Sequence, residues 1–148
     1  MPARSKARKR ALDLLFESEF HGEPILDLLA ERIDQGTRGG TPVSDYAAEL
    51  VRGVTEHRDR IDELLSEYAQ GWTLDRMPAV DRNILRIGVY ELLWADDVPD
   101  GVAISEAVLL AGDLSTDSSS AFVNGLLARL LELKPTLELG EASYGDTG

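Results

Sequence analysis

Between Pro78 and Trp94 the chain places Val80, Ile84, Leu85, Ile87, Val89, Leu92 and Leu93 around most of a helix circumference. A helix apolar on so many sides has to be packed by neighbours on several faces, which puts it at the centre of a bundle. Gly88 in its interior costs about 1 kcal/mol relative to Ala. Close approach of another helix would account for that cost. Elsewhere apolar residues recur at helical spacing, and no convincing period-two strand is present. The sequence therefore predicts an all-α bundle wrapped around the segment 78–94.

Punctuation along the chain sets the expected boundaries. A first helix covers about residues 4–20 and ends near Gly22. Pro24 can start a second, since proline suits the first turn, and this helix carries Ile25, Leu28, Leu29 and Ile33. Gly36, Gly39, Gly40 and Pro42 form the least ordered internal stretch. Ser44 or Asp45 caps a third helix, a break near residues 57–59 leads into a fourth, and Gly71 with Trp72 marks a turn. After the central helix come two more, at about 102–114 and 118–133. Residues 1–135 are expected to form one helical domain with a basic arm at 1–10. Pro135 opens a polar tail, and residues 136–148 are expected to be flexible.

Charge is distributed unevenly. The first ten residues hold Arg4, Lys6, Arg8, Lys9 and Arg10 and no acid, while the rest carries ten basic side chains against all 27 acidic ones. A chain with net charge −12 is repelled by nucleic acid at long range. Concentrating cations at one end creates a local binding footprint despite that repulsion. The arm runs straight into Ala11, Leu12, Leu14, Leu15 and Phe16, so a helix would hold these cations on a fixed surface. The alternative reading is a solubilising, frayed terminus.

Other function classes find little support. With 43% hydrophobic residues, wholesale disorder is excluded. The absence of Cys removes disulfides, thiolate zinc sites and cysteine nucleophiles. His21 and His57 have no ligand-type spacing, and Gly36, Gly39 and Gly40 lack the Lys-Ser/Thr of a phosphate loop. Asp96 and Asp97 read as solvated turn residues. No apolar run can span a membrane, and Asp13, Glu17 and Glu19 interrupt any secretory signal. The expectation is a soluble cytoplasmic protein, not an enzyme, with no metal and no cofactor.

The stretch STDSSSAFVNGLL, residues 115–127, is more specific. Its polar turn opens a helix whose first amides, around Ser118–Ser120, could accept a phosphate. Phe122 could stack on a base. Phe122 could equally be core, with Asn124 satisfying a buried backbone group.

The basic arm running into ARKRALDLLFESEF, then VDRNILRIGVYELLWADDVP, VAISEAVLLA and FVNGLL, occur in an order and spacing that resembles the NusB family of bacterial antitermination factors. GWTLDRMPAVDR is similar to the high-GC actinobacterial branch. The resemblance covers about residues 4–133. It implies two small helical sub-bundles with about seven helices. It also implies binding to the boxA element of ribosomal RNA leader transcripts jointly with ribosomal protein S10, and indirect association with other Nus factors and RNA polymerase. No catalysis is implied. By position, Arg4, Lys6, Arg8, Lys9, Arg10 and Phe122 correspond to RNA-binding residues, and Phe16 and Asp81 to residues that bind S10. Ser118 stands where the family often has an acid, with Asp117 next to it.

Two alternatives stand beside this reading. One is a NusB-like RNA-binding accessory domain of a ribosomal RNA cytosine methyltransferase. Such an enzyme is expected to carry a Rossmann-like region and a catalytic cysteine, and these 148 residues hold neither. The other is a purely structural helical oligomer, which leaves the charge concentration in residues 4–10 unexplained. The sequence leaves a homodimer open.

Overall fold

The computed structural model describes residues 2–139, so most of the expected tail, residues 140–148, lies outside the described residues. Within them the chain forms seven α-helices and no strand: α1 (Ala3–His21), α2 (Ile25–Thr37), α3 (Asp45–Glu56), α4 (Arg58–Tyr68), α5 (Ala79–Leu93), α6 (Asp100–Leu114) and α7 (Asp117–Leu133). Short 3-10 turns occupy Leu74–Arg76 and Lys134–Thr136. The chain divides into two compact units, Met1–Thr55 and Glu56–Gly148.

In the first unit, α1 ends at Gly22, whose φ of 67° is the left-handed conformation that Gly adopts without strain. The amides of Gly22 and Glu23 then reach back to the carbonyls of Glu19 and Ser18 and close the helix. The turn brings α2 against α1, burying Leu28 and Leu29 on α2 and Leu12, Leu14 and Leu15 on α1. Arg32 on α2 clamps Glu17 on α1 with two guanidinium nitrogens, Nη1 donating at 3.0 Å.

In the second unit, α5 packs against α4, α6 and α7. Ile84, Leu85 and Val89 are fully buried. A Cβ on Gly88 would lie 2.9 Å from Leu127 Cδ1 and 3.3 Å from Ala107 Cβ. The glycine is therefore where α6 and α7 cross α5. Arg86 is buried with its charge met: Nε and Nη2 donate to the two carboxylate oxygens of Asp62 at 2.9 and 3.0 Å, and Nη1 donates to Asn83 Oδ1 at 3.1 Å.

Helix starts differ slightly from the sequence reading. Pro24, Pro78 and Pro99 are N-caps with ψ between 130° and 143°, and each helix begins one residue later. The reason is local. The capping carbonyls of Pro24, Pro78 and Pro99 accept from Leu28, Arg82 and Ala103 at 3.0 Å, while the prolines themselves stay extended. Pro99 thereby starts α6 at Asp100 rather than 102, and Thr116 starts α7 at Asp117 rather than 118.

Candidate nucleic-acid interface

The arm is helical from Ala3 onward, so its five cations have fixed directions. Arg4, Lys6 and Lys9 are exposed, Arg10 is half-buried, and Arg8 is only 3% exposed. Arg4 and Arg8, one turn apart, both lie over the ring of Tyr46 on α3, at 4.2 and 5.8 Å from its centroid. Stacked guanidinium and ring attract one another through the ring quadrupole. Tyr46 thus holds the start of α1 in place. Tyr46 lies in the first turn of α3, and nothing in its sequence neighbourhood marks it as a partner of the arm. Nε of Arg10 is buried without a hydrogen-bond partner.

On the same helix further along, Phe16 is half-buried and stacks on Phe20, centroids 6.1 Å apart. Phe20 is 74% exposed. The end of α1 therefore carries an open aromatic surface suited to a protein contact.

In the second unit, the loop before α5 and the start of α7 enclose a cavity of about 300 Å3 lined by Trp72, Met77, Pro78, Asp81, Ser119 and Phe122. Arg82 pins that loop: its Nη1 donates to the carbonyls of Leu74 at 2.8 Å and Met77 at 2.9 Å. Phe122 is half-buried, and its ring sits 6.4 Å from that of Trp72 at an angle of 54°. The ring is therefore neither core nor free, but one wall of an aromatic recess. A second depression on its other side is lined by Tyr68, Gln70, Gly125 and Arg129.

The structure places Asp81 in the cavity wall rather than on an open surface, at 5% exposure. Ser119 Oγ donates to its Oδ2 at 2.8 Å, and Oδ1 has no hydrogen-bond partner. The start of α7 is less open to a phosphate than its sequence implied. The Ser119 amide already donates to Thr116 Oγ1, and the Ser120 amide to the Thr116 carbonyl, both at 3.1 Å. Nor does Asn124 satisfy a buried group, since Asn124 and Gly125 are exposed on α7.

His57 stacks on Trp94, centroids 4.5 Å apart, and burial lowers its pKa. Asp96 and Asp97 are exposed in the turn after α5. Among the described residues no cluster of His, Asp and Glu could hold a metal ion, and no helix is long and apolar enough to cross a membrane.

The NusB family model matches residues 5–132. The chain belongs to the NusB family. The transcription antitermination protein NusB of Nocardioides sp. is 61% identical over 137 residues, covering 93% of this chain and 99% of the relative. Among solved structures, NusB from T. maritima is 36% identical with a TM-score of 0.76, covering 89% of this chain and 92% of that one. A crystal structure of antitermination factors NusB and NusE in complex with dsRNA aligns with a TM-score of 0.74 at 27% identity, covering 87% of this chain and 96% of that chain. The helices of this NusB-family chain thus superpose on a protein solved with RNA and a partner.

Proposed function

We propose that the protein is a transcription antitermination factor that binds the boxA element of ribosomal RNA leader transcripts together with ribosomal protein S10. It would act in the cytoplasm as part of the Nus-factor complex on RNA polymerase, without catalysing a reaction. The observation that carries this reading is the agreement of family and site: five cations lie along the first turns of α1 in a chain otherwise strongly acidic. A structural relative was solved with RNA and with NusE, the antitermination role of ribosomal protein S10. The match along 99% of the Nocardioides relative favours this over an accessory domain of a methyltransferase.

Two contributions to RNA binding follow. Arg4, Lys6 and Lys9 offer charge to phosphates, with Arg8 and Arg10 supporting them from more buried positions. Phe122 offers a stacking face. For S10 the half-exposed Phe16 with Phe20 provides an apolar contact. Asp81, also assigned to S10 by resemblance, would be reached only by a side chain entering the cavity. The test is binding of a boxA-like leader RNA, and of the same RNA with boxA scrambled, with and without S10. Tighter binding of the intact element, strengthened by S10, is expected. Equal binding of both RNAs in the presence of S10 would sink the reading.

A further inference from the structure

The chain leaving α7 turns back onto α4. The 3-10 turn Lys134–Thr136 follows α7 directly, and the Leu137 amide donates to the Lys134 carbonyl. Arg60, in the first turn of α4, then donates from Nε to the Glu138 carbonyl at 2.7 Å. The far end of α4 and the first half of α7 enclose the second depression, of about 540 Å3, lined by Tyr68, Gln70, Phe122, Gly125, Leu126 and Arg129 among others. The two helices therefore run antiparallel, and the departing chain and the depression lie along one seam. Gly125, in the middle of α7, has a negative φ and nothing within 4 Å of where a Cβ would sit. A glycine there weakens the helix, and no packing among the described residues requires it, unlike Gly88. What it permits is close approach of another backbone.

We propose that residues 141–145 lie in this depression and restrain RNA binding at Phe122. As a brake on RNA this rests on the reading above, whereas the docking stands apart from it. Extended chain advances about 3.3 Å per residue and a helix about 1.5 Å. From Leu139 beside the end of α7, Glu141 therefore comes level with Arg129. Ala142 and Ser143 pass over Gly125. Tyr144, about 16 Å beyond Leu139, comes level with Phe122, about 16 Å back from Leu133. Each meets a fitting surface: a carboxylate beside a guanidinium, small residues over a glycine, and a ring against Phe122 and Tyr68. The pairing of Arg129 with Glu132, at 3.3 Å, is exposed on both sides, so exchanging it for Glu141 costs little. RNA is the competing occupant. Glu67 in the wall and Glu132 beside the single Arg129 suit a run of phosphates poorly. A seated tail covers the outer side of Phe122 and sets Asp146, two residues on, against approaching phosphates.

The test compares the full chain with a form lacking residues 140–148, with Tyr144→Ala and with Tyr144→Phe. Without RNA, the amide NMR signals of Tyr68, Gln70, Gly125 and Arg129 should move on truncation and in Tyr144→Ala, and stay in place in Tyr144→Phe. A site open for only a fraction of the time binds its ligand more weakly by that fraction, so truncation and Tyr144→Ala should tighten binding of a boxA-like RNA roughly three- to tenfold. Signals that ignore truncation overturn the proposal. So does movement of these signals only on adding RNA, which gives the depression to the RNA. Truncation that moves the signals but leaves RNA affinity unchanged overturns the brake. If no form binds any boxA-like RNA, with or without S10, while truncation still moves the signals, the RNA-binding reading fails and the docking stands.

Discussion

On α1, Arg4, Lys6 and Lys9 lie exposed along the first turns of the helix, with Arg4 stacked over Tyr46. In the second unit, Trp72, Asp81 and Phe122 line a shaped, largely apolar recess. On the proposed function the two regions take different parts of one RNA. Phosphate contacts position a nucleic acid and supply affinity without reading sequence, whereas contacts to bases carry the discrimination. An acidic protein needs the first to overcome its own repulsion and the second to choose among transcripts. The contrast predicts that the arm can be altered without loss of fold, while the recess depends on the packing of α5 and α7.

The largest expected effect tests that dependence. Leu127 is fully buried and touches the Gly88 crossing, so Leu127→Ala should cost about 2–5 kcal/mol of stability in urea denaturation. An arm variant with Arg4, Lys6 and Lys9 replaced by Ala should lose no more than about 1 kcal/mol, the Arg4 stack on Tyr46 being the one packing contact removed. Equal destabilisation of the two would erase the contrast.

Phe122→Ala comes next. A half-buried ring facing a cavity should give up about 1–3 kcal/mol of RNA affinity with modest loss of stability. A loss of about 3–5 kcal/mol in stability, with normal binding by the folded fraction, would instead make Phe122 a core residue.

Smaller effects separate organisation from contact on the arm. Tyr46→Leu removes the ring beneath Arg4 and Arg8 and should weaken RNA binding by about 0.5–1 kcal/mol, whereas Tyr46→Phe should retain it. If both variants bind like the wild type, stacking on Tyr46 does nothing for the arm.

The smallest effects are in pH dependence. The guanidinium of Arg32 holds the Glu17 carboxyl below its ordinary value. This pair therefore contributes above the unfolded carboxylate pKa, and its contribution is lost as pH falls through the lower folded value. Glu17→Gln should remove that component, worth about 0–1 kcal/mol for a partly exposed pair. Burial lowers the pKa of His57, so the folded state favours neutral imidazole. Its contribution is present above about 6.5, the unfolded value, and is lost as pH falls from there through the lower folded value. Denaturation midpoints from pH 7 to pH 5 in wild type and His57→Phe check this, and parallel profiles would show that His57 is not the source.

Much of the fold was legible because its signals are local. The apolar circumference of 78–94, Gly88 within it and the prolines before α2 and α5 each mark an element by spacing alone. Boundaries moved by a residue or two because the carbonyl of an N-cap proline accepts the first helical hydrogen bond while the proline itself stays outside the helix. The site was less legible. Five cations could be counted, but which of them Tyr46 covers depends on where α3 lies against α1. The Ser119–Asp81 bond joins residues 38 apart in sequence, and nothing in either neighbourhood announces it. Trp72 read as a turn marker, because only the pinning of its loop by Arg82 makes it the rim of a recess.

The division of labour between arm and recess is tested most directly by the salt dependence of binding to a boxA-like RNA, measured for the wild type, the arm variant and Phe122→Ala. Every phosphate that the protein no longer neutralises should reduce the slope of log K against log salt by roughly 0.7 for single-stranded RNA. Replacing Arg4, Lys6 and Lys9 should therefore flatten the slope and weaken binding to all RNAs alike, while Phe122→Ala should lower affinity at an unchanged slope. An arm variant with the wild-type slope would contradict this division and reduce the basic residues to a solubilising terminus.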